Sequence, residues 1–226
     1  MSKNILIVES DNDKFFFEAL VQKMNLQIEI ESRPFCRIDD YECMEGDSKP
    51  KLIAALSAIK YRSRKEPINA IGIIIDQDDK EASTRIEQVN EAVSESFGVK
   101  KCVEKIGEFN TVPVDEDTDV NIGLYLQNVS GRGNLETVLK TIHKGDAAHA
   151  DCLNAWKKCI EGGGYSLKDS DFDKFWVQIY QRYDQCSKKE RKQAGRKCNN
   201  EASMKKDIWD FNHEVLDELK DFLKSL

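Results

Sequence analysis

The chain has 226 residues, and 34 Lys and Arg against 41 Asp and Glu leave a formal charge of −7 (34 − 41), with a pI near 5.2. That balance excludes a protein whose whole surface attracts nucleic acid. The composition, 40% hydrophobic and 33% charged, is that of a globular chain, and a chain of this length buries roughly 70–75% of its unfolded surface without disulfides or a structural metal.

The first thirty residues hold no basic stretch leading into an apolar core, and no apolar run reaches the length of a membrane span, so a soluble, cytoplasmic protein with no membrane partner is expected. Seven cysteines stand at Cys36, Cys43, Cys102, Cys152, Cys159, Cys186 and Cys198, with no CxxC pair and no adjacent His to complete a zinc set. They read as reduced intracellular thiols. Cys152 and Cys159 share a helical face with Trp156 between them, a pattern of packing rather than chemistry.

The chain opens with the apolar run Ile5-Leu6-Ile7-Val8, which stops at Glu9-Ser10-Asp11-Asn12-Asp13; Phe16, Phe17, Leu20, Val21 and Met24 then recur at helical spacing. The pattern is strand, acidic turn, amphipathic helix. The alternation Leu26 to Ile30 predicts a second strand, Ile38 to Cys43 a shorter one, and Lys51 to Tyr61 a helix. Ala70 to Ile75 is a near-continuous β-branched run of the kind buried on both faces of a sheet, ending at Asp76-Gln77-Asp78-Asp79. A helix follows over Glu81 to Phe97, closed by Gly98, and then two extended pieces, Phe109 to Val114 and Val120 to Val129, flank the acidic turn at 115–117. Strands alternating with helices over residues 1–146 predict an α/β domain with a mostly parallel sheet. Residues 147–226 predict a helical C-terminal extension packed on it, with helices over Ala147 to Ile160, Asp169 to Gln185 and His213 to Leu226.

Acidic residues stand just after two strands, Glu9 after the first and Asp76 and Asp78 after the central one, the place where α/β sheets carry their chemistry. If those strands are parallel neighbours, the carboxylates share one crevice, where their mutual repulsion calls for a cation. Oxygen-only ligands suit Mg²⁺ or Mn²⁺, which keep several waters and accept substrate phosphate oxygens.

The runs Ile5 to Asp13 and Ile73-Ile74-Ile75-Asp76-Gln77-Asp78 resemble the two signature motifs of the Toprim domain, shared by topoisomerases, bacterial primases and OLD-type nucleases. Glu9, Asp13, Asp76 and Asp78 fall on that family's motif positions. Gly131-Arg132-Gly133-Asn134-Leu135-Glu136, a glycine-rich turn leading into a helix, is similar to the third element of OLD-type and small stand-alone Toprim proteins, and Lys206 to Phe211 resembles the ending of small bacterial Toprim-like proteins. The resemblance implies a Toprim-like sheet flanked by helices and a Mg²⁺-dependent protein acting on phosphodiesters, a nuclease or nuclease-related enzyme on DNA or RNA. It departs from the family at Ser10, where Gly is common, and at Lys80, where topoisomerases carry a third acid. The first weakens a close backbone approach to phosphate; the second points to the nuclease-like branch.

In that reading Asp76 and Asp78 hold one metal ion, and Glu9, with Asp13 or Glu136, completes the site or supports a second ion; Glu9 is alternatively a general acid or base. Lys14, Lys80, Lys140 and Lys144 are candidates for stabilising transition-state charge. His143, His149 and His213 read as structural. Tyr125, Trp156, Trp176 and Trp209 either stack bases or pack a core. Nine basic residues against three acids between Arg182 and Lys206 make that segment the main candidate for a phosphate-facing surface, with the shorter Lys60–Lys65 patch as another. Two alternatives stand beside the enzyme: a non-catalytic metal- or nucleotide-binding Toprim-like module, and a receiver-like domain with Asp76 as phosphoacceptor. A nucleic-acid partner is expected, with a homo-oligomer or a protein partner open.

Overall fold

The structure is a computed structural model and describes residues 2–32 and 49–226; the strand expected over Ile38 to Cys43 lies outside the described residues, as do Cys36 and Cys43. The fold is α/β, with a mostly parallel five-stranded sheet flanked by helices. Its elements are β1 (Lys3–Val8), α1 (Asp11–Lys23), β2 (Ile28–Ser32), α2 (Lys49–Ser63), β3 (Ile68–Asp76), α3 (Ala82–Phe97), β4 (Phe109–Pro113) and β5 (Asp119–Gln127). Helices alone follow: α4 (Leu135–Thr141), α5 (Ala148–Asp151), α6 (Leu153–Gly162), α7 (Asp169–Ile179), α8 (Lys188–Arg191), α9 (Ala194–Lys197), α10 (Asn200–Met204) and α11 (Asp217–Ser225). None of the described helices is long and apolar enough to cross a membrane.

Contacts divide the chain into two compact units, residues 1–126 with 217–226, and residues 127–216. This division leaves residues 127–146 outside the sheet unit and joins the last helix to it, whereas the sequence pattern alone places the change at 146.

In the first unit the strand order is β2-β1-β3-β5-β4; β1 pairs in parallel with both β2 and β3, and β4 and β5 form an antiparallel hairpin at the edge. The period of two along each strand sorts its residues between faces. Ile5 and Ile7 of β1, Ile71, Ile73 and Ile75 of β3, and Ile122, Leu124 and Leu126 of β5 join one buried cluster with Leu52, Leu56 and Ile59 of α2 and Val89, Val93 and Phe97 of α3. α1, whose buried Phe16, Phe17 and Leu20 stand apart from that cluster, and α11 cover the opposite face. There Gly72 sits at a close approach: a Cβ at this position would come within 2.8 Å of Leu6 Cδ1 and 3.3 Å of Phe222, so those side chains would have to shift. The Phe222 ring also stacks on Phe109, with centroids 5.0 Å apart. Gly98 closes α3 in the left-handed conformation, as the sequence predicts.

The second unit is built around rings. Trp176 stacks on Tyr180 at 5.2 Å, Tyr180 lies 5.3 Å from Trp209, and His143 meets Trp176 edge-on at 4.9 Å. The Tyr180 hydroxyl donates to the carbonyls of Lys144 and Ile208, satisfying the polar end of a buried ring. α7 runs on into a π-helical turn over residues 180–184, so the single helix predicted to Gln185 changes geometry at Tyr180. The polar stretch from 188 to 204, given no element by the sequence pattern, forms three short helices, of which α8 and α10 start at side-chain caps from Ser187 and Asn199. Cys186 and Cys198 form a disulfide, with Cα atoms 6.2 Å apart; this differs from the all-reduced expectation, because the fold brings together two cysteines whose spacing matches no motif. Cys102 is buried, and burial pushes its thiol up to about 11; Cys152, between α5 and α6, and Cys159, on α6, are free and exposed, and α6 buries none of its residues.

Candidate functional site at the carboxyl ends of β1 and β3

β1 is the strand from which the chain turns both ways. Its connection through α1 leads to β2 on one side, whereas β3 flanks it on the other, with α2 and α3 on the face opposite α1. Such a reversal opens a crevice at the carboxyl ends of the two central strands, because the loops leave in opposite directions. Glu9 and Asp76 stand at that point. The pairing of Ile7 with Ile73 carries Glu9 alongside the end of β3, and the Asp76 backbone N–H donates to Glu9 Oε2 at 3.2 Å. Two acids 67 residues apart in sequence are therefore neighbours, as the strand pattern predicts, and both are partly exposed.

The other predicted acids are placed differently. Asp13 is 5% exposed in the first turn of α1; the Ser10 hydroxyl donates to its Oδ2 at 2.5 Å, and its own N–H donates back to Ser10 Oγ. Ser10 thus caps the helix, and the acid in its first turn favours the positive end of the helix dipole. Asp11 in the same turn accepts from Ser32 at the end of β2. Asp78 follows Asp76 by two residues but has φ of 52°, a left-handed conformation unusual for a residue with a side chain. Its carboxylate meets Arg85 of α3 at 2.6 Å; the Arg85 side chain is 6% exposed and that of Asp78 is 43% exposed. Gln77, buried between the two acids, donates to the Lys80 carbonyl and closes the loop. Arg85 is the residue that sequence reasoning missed, since a basic residue in the first turn after an Asp-x-Asp loop belongs to neither motif.

Glu136 lies in the second unit, in the first turn of α4 behind a capping box of Asn134 and Thr137, where its charge suits the helix N-terminus. The glycine-rich turn before it exists as predicted, with Gly131 and Gly133 both at positive φ.

Among the described residues no three carboxylate, imidazole or thiolate groups stand together as a ready metal site. The donor set at the strand ends still fits Mg²⁺ chemistry, because that ion usually takes one or two carboxylates and fills its remaining positions with water and substrate phosphate. Glu9 and Asp76 are the two residues that would hold it.

Three of the four lysines considered for transition-state charge have other partners. Lys140 pairs with buried Asp173 at 2.7 Å, Lys144 with Asp207 at 2.7 Å, and Lys14 with Glu18 one helical turn on. Lys80 is exposed in the loop after Asp78. In the 60–65 patch Lys60 donates to the carbonyls of Ser96 and Phe97 at the end of α3, and Arg62 binds Glu29, Glu31 and Glu66. Lys60 and Arg62 are thereby structural, while Arg64 and Lys65 are exposed. Tyr125, Trp176 and Trp209 are buried, which leaves Trp156, against Phe175, as the exposed ring of the four. His143 is bonded to the Lys140 carbonyl and His213 to the Val215 N–H.

No curated protein and no solved structure matches the chain. A family described as "Protein of unknown function (DUF3226)" matches it over residues 3–226, nearly its whole length, and the chain belongs to that family.

Proposed function

We propose that the chain is a Mg²⁺- or Mn²⁺-dependent protein acting on phosphodiester bonds of nucleic acid in the cytoplasm, a nuclease or nuclease-related enzyme, with Glu9 and Asp76 at its centre. The observation that carries this reading is the meeting of two carboxylates from distant parts of the chain at the reversal point of the sheet, on the positions that resemble the Toprim motifs. A divalent ion bound there would polarise a phosphoryl oxygen and lower the pKa of its water. Glu9 is held against β3 by the Asp76 N–H, which orients one of its carboxylate oxygens at the strand ends. The Ser10 hydroxyl holds the Asp13 carboxylate at the first turn of α1, and the Ser32 hydroxyl holds that of Asp11 at the end of β2.

A second reading, a non-catalytic metal- or nucleotide-binding module, is favoured by one contact: the Asp78 carboxylate is already neutralised by Arg85. Cleavage of single- and double-stranded DNA and RNA in the presence of Mg²⁺ or Mn²⁺ separates the two. The enzyme reading expects metal-dependent products that vanish in Glu9→Gln and Asp76→Asn with folding unchanged. Metal binding without cleavage of any of the four substrates supports the module instead. Stable labelling of Asp76 by acetyl phosphate would contradict both and favour a receiver-like phosphoacceptor.

A further inference from the structure

The second unit carries an aromatic and basic surface that the strand-end acids do not explain. Tyr183 lies in the π-helical turn after α7 and is 40% exposed as a residue. The Arg182 guanidinium lies 5.7 Å from the ring centroid and that of Arg191 5.5 Å; the His149 ring lies 6.0 Å away, its plane 30° from that of Tyr183. This group is held in place before any ligand arrives. Asp184 accepts from His149 Nδ1 at 2.7 Å and from the backbone N–H groups of His149 and Ala150, which fixes the second ring beside the first.

The segment that follows is fastened as well. Ser187 and Glu190 form a reciprocal capping box, Lys206 pairs with Glu190 at 2.8 Å, and the Cys186–Cys198 disulfide closes the loop. Lys188, Lys189, Lys192, Arg196 and Lys197 are exposed on it, and among the described residues none of them has an acidic partner. Five uncompensated cations within ten residues repel one another, and a polyanion relieves that repulsion. A partly exposed ring with two guanidinium groups over it and an imidazole stacked against it presents its remaining exposed side to a base, and the row of cations tracks a phosphate backbone; a duplex, with its bases already stacked, cannot use the ring.

We infer that Tyr183, flanked by Arg182, Arg191 and His149, forms with the 188–197 segment a binding surface for single-stranded nucleic acid. The inference rests on the nucleic-acid reading above and names its substrate form. The test is fluorescence anisotropy of the full chain with a labelled oligothymidylate in EDTA, where binding is read without divalent metal. The unmodified chain binds, and the logarithm of affinity falls against the logarithm of salt with a slope of about −3.5, five contacts at about −0.7 each. Tyr183→Leu, which keeps apolar bulk and loses the ring, binds about tenfold more weakly with the same slope. The triple change Lys188→Gln, Lys189→Gln, Lys192→Gln flattens the slope by about 2. No binding at low salt, or a Tyr183→Leu variant that folds and binds unchanged, or equal affinity for duplex, would overturn the surface; so would binding to anionic phospholipid vesicles with none to the oligonucleotide. Binding in EDTA with no cleavage in Mg²⁺ overturns the enzyme reading alone, and cleavage with no binding in EDTA overturns this surface alone.

Discussion

Arg85→Met separates the architecture of the loop after β3 from its chemistry. The Arg85 guanidinium makes one short bond to Asp78 Oδ2 and one to Gln88, while its Nε, although buried, has no hydrogen-bond partner. A charge-assisted bond is worth about 1.5–3 kcal/mol, but the Asp78 side chain is 43% exposed and regains water when the cation leaves, which removes most of that loss. Met occupies a similar volume and relieves the burial of a partly unsatisfied cation. The net change in stability is therefore expected within about 1 kcal/mol. The change frees the carboxylate of Asp78, two residues after Asp76, and removes a positive charge from the loop after β3. Mn²⁺ affinity should rise about tenfold, a change of about 1.4 kcal/mol. Calorimetric titration with Mn²⁺ reads the affinity and urea unfolding reads the stability. An Arg85→Met protein that folds normally but binds Mn²⁺ no tighter, or whose gain survives a further Asp78→Ala, would refute the idea that the Arg85 pairing keeps Asp78 from acting as a metal ligand.

Gly72→Val places side-chain atoms against Leu6 and Phe222 and should cost about 1–3 kcal/mol, lowering Tm by about 2–4 °C for each kcal/mol; an unchanged Tm by scanning calorimetry contradicts the packing of α11 on that face. Asp173→Ala leaves the Lys140 ammonium and the Thr137 hydroxyl without their shared acceptor, an expected loss of about 2 kcal/mol because Lys140 remains 32% exposed; the urea midpoint should fall at constant m-value. Glu190 is held down to about 2, chiefly by the Lys206 ammonium and then by Ser187. Its folded pKa lies below its ordinary value of 4.5, so its contribution is complete above that pH and is lost as pH falls from about 4.5 towards 2. Carboxyl NMR should show Glu190 titrating near 2 and moving upward in Lys206→Gln; a midpoint near 4.5 in the unmodified chain would contradict the pairing.

The sheet was legible because its strands are buried on both faces and read as unbroken apolar runs, as at Ile5 to Val8 and Ala70 to Ile75. Their pairing follows from the same runs: once both are central and parallel, Glu9 and Asp76 have to meet. The two hairpin strands were legible too, because the acidic turn at 115–117 lies between them. The fate of Asp78 was not, since a two-residue spacing does not reveal that the backbone turns left-handed and hands the carboxylate to Arg85. The short helices from 188 to 204 carry too few apolar residues to show a period; the capping pattern Ser187-x-x-Glu190 was their available signal. Tyr183 was hidden in a basic run because its ring partner, His149, lies far away in sequence. The disulfide follows from tertiary proximity, which cysteine spacing does not encode.

The most direct measurement is calorimetric titration of the full chain with Mn²⁺, with Glu9→Gln and Asp76→Asn beside it. If the strand-end carboxylates form a metal centre, the unmodified chain gives a saturable isotherm and both variants lose it while keeping their unfolding transitions. An unmodified chain that takes up no Mn²⁺, or two folded variants that bind it as tightly, would contradict a metal centre at the carboxyl ends of β1 and β3.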